Sequence, residues 1–158
     1  MSNLKNHINL PKIVSNQKNF SDIAKTLYEF HSLYMKNGQD ILSARTMHFY
    51  LKSCNHHIYF DEYSLAIVQV VDIEAELITL LVDPNFRNKK IGTKLLVKIL
   101  QHLTSGNVKK VFLEVSNKNI VGLRIYEKVG FQKCGVRKNY YTRNLTIPED
   151  ALIMVCNL

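Results

Sequence analysis

Residues 77–100 read LITLLVDPNFRNKKIGTKLLVKIL, an apolar strand that passes through a basic turn into an amphipathic helix. The free N–H groups at the start of such a helix, together with the positive end of its dipole, attract an anion. Arg87, Lys89 and Lys90 lie in the same turn. The stretch therefore predicts a binding site for a phosphate group.

Two helices and three strands are predicted ahead of this turn. The first helix has Ser21 as its N-cap, and a second, shorter helix starts at Ser43. Period-two patterns then predict strands at 56–60, 63–71 and 75–82, joined by short turns. Connections this short join antiparallel neighbours, so the three strands form a meander.

The chain after the basic helix predicts one more parallel strand, one helix and two final strands. The strand at 108–115 is connected to the third meander strand through a helix, which makes the two strands parallel. A helix follows at 119–129, with Gly130 as its left-handed C′ residue. The last strands are expected at 132–137 and 151–156. This order of elements belongs to the α+β class.

Composition sets wider limits. The 158 residues, 46% of them hydrophobic, suit one domain spanning residues 1–158. No apolar run approaches the ~18 residues of a membrane span, and no leader-type apolar segment stands at the N-terminus, so we expect a cytoplasmic protein and no membrane partner. The net charge of +8 favours polyanionic partners, which a nucleic acid and a multiply phosphorylated cofactor satisfy equally well.

The cysteines and histidines point away from metal and disulfide chemistry. Cys54, Cys134 and Cys156 are odd in number and far apart, so we expect small buried apolar residues. His56 and His57 point to opposite faces of a regular strand and cannot chelate one ion together. No metal site is expected.

Three side chains are candidates for chemistry. Glu114 stands late in an otherwise apolar strand, where a carboxylate either pairs with a cation or acts as a general base; the pattern leaves both open. Asn119 and Tyr126 are seven residues apart, about two helical turns, so both could contact one elongated ligand. Alternatively, Tyr126 is a half-buried core aromatic and Asn119 an N-cap.

Taken together, these residues resemble the GNAT superfamily of acetyl-CoA-dependent N-acetyltransferases. The hallmark is Arg/Gln-x-x-Gly-x-Gly/Ala after a strand, here Arg87-Asn88-Lys89-Lys90-Ile91-Gly92. Within it the chain resembles most the RimI type, the bacterial ribosomal-protein-alanine N-acetyltransferases, through AIVQVV, LVDPNFRNKKIGTKLL, LEVSNKNIVGLRIYEKVGF and RKNYY…EDALIMVCNL. These segments cover roughly residues 65–158. Lys90 departs from the pattern, since it occupies the position of the first Gly.

The resemblance implies a fold, an activity and a site. It implies a mixed sheet of about seven strands with four helices, in which two parallel central strands are splayed around acetyl-CoA. It implies that Glu114 is the general base and Tyr126 the general acid. The residues implied to bind acetyl-CoA are Leu80, Leu81, Val82, Arg87, Asn88, Lys89, Lys90, Ile91, Gly92, Thr93 and Asn119.

The implied acceptor is a protein N-terminal amine, the N-terminal alanine of a small-subunit ribosomal protein, with no nucleic acid required. The loop of Tyr140 and Tyr141 is implied as a lid over that peptide. Two alternatives stay open: a family member that acetylates a small-molecule amine or another protein, and a non-catalytic module that binds acyl-CoA or RNA.

Overall fold

The computed structural model describes residues 8–9, 20–35, 42–142 and 146–158. Seven strands and four α-helices lie in this part of the chain. The strands are β1 (Ile8–Asn9), β2 (His56–Phe60), β3 (Ser64–Val71), β4 (Glu74–Val82), β5 (Lys110–Ser116), β6 (Gln132–Tyr141) and β7 (Glu149–Asn157). The helices are α1 (Phe20–Tyr34), α2 (Ala44–Lys52), α3 (Ile91–Ser105) and α4 (Ile120–Lys128), and a 3₁₀ turn spans Pro84–Phe86.

The described strands form one mixed sheet in the order β1-β2-β3-β4-β5-β7-β6. Strands β2, β3 and β4 are the predicted antiparallel meander, and β4 pairs with β5 in parallel, as the helical connection between them requires. Strand β7 inserts between β5 and β6 and is antiparallel to both. The expected α+β fold is confirmed.

The parallel pair at the centre of the sheet is short. Strands β4 and β5 are in register only from Glu74 opposite Lys110 to Leu77 opposite Leu113. At that point the β3–β4 register also shifts, because Val68 faces Leu77 and Ile67 faces Thr79, which leaves Ile78 as an extra residue on β4. Such a β-bulge bends a strand and increases its twist. The two central strands therefore diverge beyond Leu77, as the splayed arrangement requires.

Each face of the sheet has its own apolar core. Helices α1 and α2 contribute Ile23, Leu27, Met47 and Leu51 to one cluster, together with Ile58 and Ile67 of the sheet. Helices α3 and α4 cover the other face, where the buried residues are Ala66, Leu77, Leu96, Ile99, Leu103, Val111, Leu113, Val115, Tyr126 and Phe131. The sheet thus separates two layers of helices.

Several helix ends follow the sequence and others do not. Helix α2 begins at the predicted cap, since the Ser43 side chain accepts a hydrogen bond from the Thr46 N–H at 3.1 Å. At the end of α4, Phe131 N–H donates to Tyr126 O and Gly130 N–H to Glu127 O, with Gly130 at φ 103°, which is the Schellman pattern. Helix α1 already includes Phe20, so Ser21 is not its N-cap.

The final hairpin is longer than predicted. Strands β6 and β7 extend to Tyr141 and back to Glu149, so Tyr140 and Tyr141 lie in a strand and not in a loop. Both strands continue because a bulge in β6 keeps them paired past Arg137. The expectation for the cysteines was right for buried Cys156 and wrong for Cys54 and Cys134, which are exposed.

His31 is an ionisable side chain in the core. It continues the buried stripe of α1 one turn after Leu27, it is fully buried, and neither ring nitrogen has a hydrogen-bond partner among the described residues. Burial lowers the pKa of His31 to about 4 from 6.5. The folded state therefore binds the proton less readily than the unfolded chain does.

We expect the free energy of unfolding to fall as the pH drops from 6.5 to about 4, by up to about 3 kcal/mol from His31 alone. Well above pH 6.5 the ring is neutral in both states and adds no pH dependence. Urea melts of the wild type and of His31→Leu, at neutral pH and at about pH 5, measure how much the free energy of unfolding changes with pH in each protein. The variant should lose most of the acid sensitivity, and His48→Leu on α2 should retain it; equal sensitivity in wild type and His31→Leu would contradict the assignment.

Candidate active site

The turn between β4 and α3 has an unusual backbone. Asn88 and Lys90 both have φ 61°, and Lys90, with ψ 15°, is the left-handed N-cap residue of α3. Lys90 makes no capping hydrogen bond with its side chain, whereas Ser43 caps α2 and Asn119 caps α4 among the described residues. The first N–H groups of α3 are therefore left for an external acceptor, which fits a phosphate group.

The side chains of the turn add positive charge. Arg87, Lys89 and Lys90 are all exposed, and the Arg87 Nε–H donates to the carbonyl of Val82 at 3.4 Å. The Lys89 ammonium lies 4.5 Å from the centre of the Phe86 ring. That ring stacks on Tyr63 with centroids 4.0 Å apart, which attaches the turn to the β2–β3 connection.

Gly92 and Thr93 lie in the first turn of α3. Gly92 is buried, and a Cβ added to it would meet Val82 and Ile125 at 3.4 and 3.8 Å, which are ordinary contacts. Gly92 thus lies between β4 and α4, at a position where a methyl group would also fit. Ile91 and Thr93 are half-buried beside it.

Leu80, Leu81 and Val82 form the last part of β4, beyond the bulge. They pair with Ala66, Leu65 and Ser64 of β3 on one side, and no register joins them to β5 on the other. Successive N–H groups of a strand alternate in direction. Some of these donors therefore face the gap between β4 and β5, where a ligand carbonyl could accept from them.

Glu114 lies on β5 directly beyond the last residue that pairs with β4. Its carboxylate accepts from one nitrogen of the Arg137 guanidinium, at 2.9 Å to Oε1 and 3.2 Å to Oε2, and its side chain is 24% exposed. The ion pair that the sequence pattern left open is therefore present. A carboxylate with several acceptor positions can still receive a proton from a third group.

Arg137 also contacts Tyr140 of β6, and the residues between them bind Asp150 of β7. The guanidinium carbon lies 4.0 Å from the centre of the Tyr140 ring. Asn139, at φ 53°, donates its N–H to Asp150 at 2.9 Å, and Lys138 pairs with the same carboxylate at 2.8 Å. The hydrogen bond that Arg137 donates to Glu114 is the largest cause that raises the pKa of Arg137, so the guanidinium stays charged.

Tyr126 lies on the inner face of α4. It is 9% exposed, and its ring packs edge to face against Phe131 with centroids 5.9 Å apart. Burial raises the pKa of the Tyr126 hydroxyl to about 12, so the phenol is protonated at neutral pH. The hydroxyl has no hydrogen-bond partner in the described part of the chain and can donate to a ligand.

Glu114 and Tyr126 are on opposite faces of β5. Leu113 and Val115 point into the core that contains Tyr126, and strand alternation sends Glu114 to the other face. Beyond Leu77 no backbone pairing joins β4 to β5, so a ligand could enter between the two strands. A ligand inserted in that gap would have a carboxylate on one side and a phenol on the other.

Asn119 has a structural role that the sequence also suggested. Its Oδ1 accepts from the Gly122 N–H at 2.9 Å and caps α4. A Cβ on Gly122 would lie only 2.7 Å from Asn119 Nδ2, so this cap needs glycine there. Asn119 therefore faces the start of α4, while Tyr126 lies two turns further along.

The structure brings together residues that the sequence did not connect. Arg137 is far from Glu114 in the chain, and only the insertion of β7 between their strands makes them neighbours. Among the described residues, no three His, Cys, Asp or Glu side chains cluster as a metal site, and no helix is long and apolar enough to cross a membrane.

The chain is similar to known proteins in sequence and in fold. The profile of the Acetyltransferase (GNAT) family matches residues 27–131. The ribosomal protein bS18-alanine N-acetyltransferase of Salmonella typhimurium is 37% identical over 91 residues, which make up 58% of this chain and 61% of that protein. The matched stretch thus spans less than two thirds of the length of that curated relative.

Solved structures share the fold. The ribosomal-protein-S18-alanine N-acetyltransferase from Escherichia coli has a TM-score of 0.74 at 26% identity, covering 85% of this chain and 86% of that one. A Bacillus subtilis acetyltransferase in complex with CoA has a TM-score of 0.55 at 12% identity, covering 66% and 78%. The family profile spans most of the sequence, including both diverging strands and the basic turn between them, and the chain therefore belongs to the GNAT acetyltransferase family.

Proposed function

We propose that this protein is an acetyl-CoA-dependent N-α-acetyltransferase that acts on a protein N-terminal amine. The observation that carries the proposal is the gap between β4 and β5, with Glu114 on one face of the sheet and Tyr126 on the other. The acceptor we propose is the N-terminal alanine of ribosomal protein bS18, because relatives with that named activity match the chain in sequence and in fold.

The basic turn suits the diphosphate of acetyl-CoA. In our proposal the phosphates are held by residues Arg87 to Thr93, through the first N–H groups of α3 and the three cations of the turn. The edge of β4 at Leu80, Leu81 and Val82 that does not pair with β3 would hold the pantetheine and acetyl groups, and Asn119 at the start of α4 would contact the pantetheine arm. Bound acetyl-CoA supplies a thioester, whose acyl carbon is attacked by the acceptor nitrogen.

Glu114 is the proposed general base. An N-terminal α-ammonium has an unperturbed pKa of ~7.7–8.0, against ~10.4 for lysine, so removing its proton is easier by ~3–4 kcal/mol. In the step, an N–H bond of the ammonium breaks, the proton passes to a Glu114 oxygen directly or through one water, and nitrogen keeps the electron pair. One carboxylate is therefore a better match to a protein N-terminus than to a lysine side chain.

Tyr126 is the proposed general acid on the opposite face. Its hydroxyl, with a pKa of about 12, stays protonated and can donate a hydrogen bond to the departing sulfur. Complete transfer to a thiolate of pKa ~8.5 would be uphill by roughly 5 kcal/mol. We therefore expect Tyr126 to share its proton and stabilise the thiolate, with solvent completing the protonation. N–H groups of β4 that face the gap would stabilise the negative charge on the acyl oxygen.

Glu114→Gln should lower kcat about 10²- to 10⁴-fold, because it removes general base catalysis and leaves the basic turn before α3 unchanged. Steady-state kinetics measures kcat, and isothermal titration with acetyl-CoA should give a nearly unchanged Kd. Glu74→Gln, on the exposed start of β4, is the matched control. Wild-type turnover in Glu114→Gln across neutral and alkaline pH would remove Glu114 from the base role.

Lys90 is left-handed where glycine would be unstrained, at a cost of ~1–2 kcal/mol. Lys90→Gly should therefore raise the free energy of unfolding by about 1 kcal/mol in urea melts. Lys90→Gln keeps the strain and removes the charge, so it should weaken acetyl-CoA binding without gaining stability. The lysine charge would then offset the backbone strain by attracting the diphosphate. A tenfold or greater rise in acetyl-CoA affinity in Lys90→Gly, measured by isothermal titration, would rule out that role.

A thiol-release assay tests the reaction and its acceptor. We expect CoA release with acetyl-CoA and a peptide bearing the bS18 N-terminus, and mass spectrometry should place the acetyl group on the α-amine. The same peptide with a blocked N-terminus and free lysines is the control, and polyamines test the small-molecule alternative. Release with polyamines alone would overturn the proposed acceptor class, and no release with any amine would favour a non-catalytic module.

A further inference from the structure

We propose that Arg137 is a positioning residue for the reaction: its guanidinium reaches across β7 and holds the Glu114 carboxylate in the orientation in which it receives the acceptor's proton. The inference rests on the proposed function, since Arg137 acts only through Glu114. It concerns a residue of the last hairpin that touches neither the proposed thioester gap nor the phosphate turn.

The register of three strands explains how the two side chains meet. Arg137 on β6 faces Ala151 on β7, and Ala151 faces Ser116 on β5, so these residues lie in one row on one face of the sheet. Glu114 is two residues before Ser116 and points to the same face. Strands are ~4.8 Å apart, so Arg137 must span about 10 Å to reach β5.

The residues along this path leave room for the long side chain. Ala151, which lies between the two strands in the row, is fully buried and has only a methyl group. Glu114 faces Ile153, and Ile153 faces Gly135, where an added Cβ would come within 3.2 Å of Ile153 Cδ1. Ile153 therefore leans toward β6. The methyl group of Ala151, and the absence of a side chain at Gly135 toward which Ile153 leans, thus leave room for the Arg137 side chain.

The bulge in β6 places Tyr140 against the Arg137 guanidinium. Arg137 faces Ala151 and Tyr141 faces Glu149, so four steps on β6 match two on β7. Asp150 fastens the extra residues through the Asn139 N–H and the Lys138 ammonium. The bulge brings the Tyr140 ring to 4.0 Å from the guanidinium carbon. Bulges beside functional sites commonly re-aim a side chain in this way.

The ion pair between Arg137 and Glu114 contributes little to the stability of the fold. Arg137 is 51% exposed, and ion pairs with so much solvent contact add little to folding. Its effect is geometric: one nitrogen donates to both oxygens of Glu114 and uses one acceptor position on each. A carboxylate has about four such positions, so those that remain are directed away from β6 and are free for the acceptor amine or a water.

Kinetics of Arg137→Met and Arg137→Lys test the proposal. We expect Arg137→Met to lower kcat by about tenfold to a hundredfold, as a displaced catalytic group does, with an unchanged KM for acetyl-CoA. Arg137→Lys should recover most of the rate, because contact through one nitrogen can be replaced by an ammonium. Lys133→Met, on the same strand, is the matched control for loss of charge. Arg137→Gln replaces the Met variant if circular dichroism shows that the latter does not fold.

A double-mutant cycle separates positioning from a general structural effect. In the Glu114→Gln background, Arg137→Met should cause no further loss of kcat, since its partner is already absent. If Glu114→Gln is slow but Arg137→Met keeps wild-type kcat, exceeds it, or adds its full effect to Glu114→Gln, Arg137 is not a positioning residue and the proposed function still stands. If Glu114→Gln itself is fully active, the base role fails first, and this inference fails with it.

Discussion

Strands β4 and β5 are paired over only four residues, and the candidate active site lies where that pairing stops. The extra residue Ile78 shifts the register of β4 against β3 at the same level, so β4 turns away from β5 while remaining bonded to β3. Two consequences follow from this one bend. On the side away from β3, the edge of β4 at Leu80 to Val82 has no partner among the described strands, and no backbone pairing closes the sheet between β4 and β5 there. In the proposed mechanism, Glu114 and Tyr126 on opposite faces would then act on the same bound group without lying beside each other.

Charged residues lie on both sides of the region where β4 and β5 separate. On one side, α3 starts with free N–H groups and three cations, and the strained backbone at Lys90 places a positive charge where glycine would have none. On the other side, Glu114 is held by Arg137, so the carboxylate that would receive a proton is already set within a hydrogen-bonded frame. An anionic substrate tail and a cationic acceptor can thus approach from different directions, each toward the opposite charge.

Much of this could be read from the sequence, where a local signal existed. Alternation gave the meander, Ser43 marked the start of α2, and Gly130 marked the end of α4 because only a residue without Cβ fits φ 103° easily. The bulge at Ile78 had no such signal, since Ile78 is as apolar as its neighbours. The partner of Glu114 was hidden for a different reason: its identity depends on the strand order, which places β7 between β5 and β6 and cannot be deduced from spacing along the chain.

The irregular backbone at residues 138–140 has one more effect, on the behaviour of the protein in concentrated solution. In the described sheet, β6 is the terminal strand and is exposed along almost its whole length, so a straight β6 would offer unpaired backbone groups to a second molecule. The extra residues interrupt that row, and the exposed Lys133 adds a charge at the same edge. The same distortion that presents Tyr140 to Arg137 thereby also protects the chain against aggregation through its last hairpin.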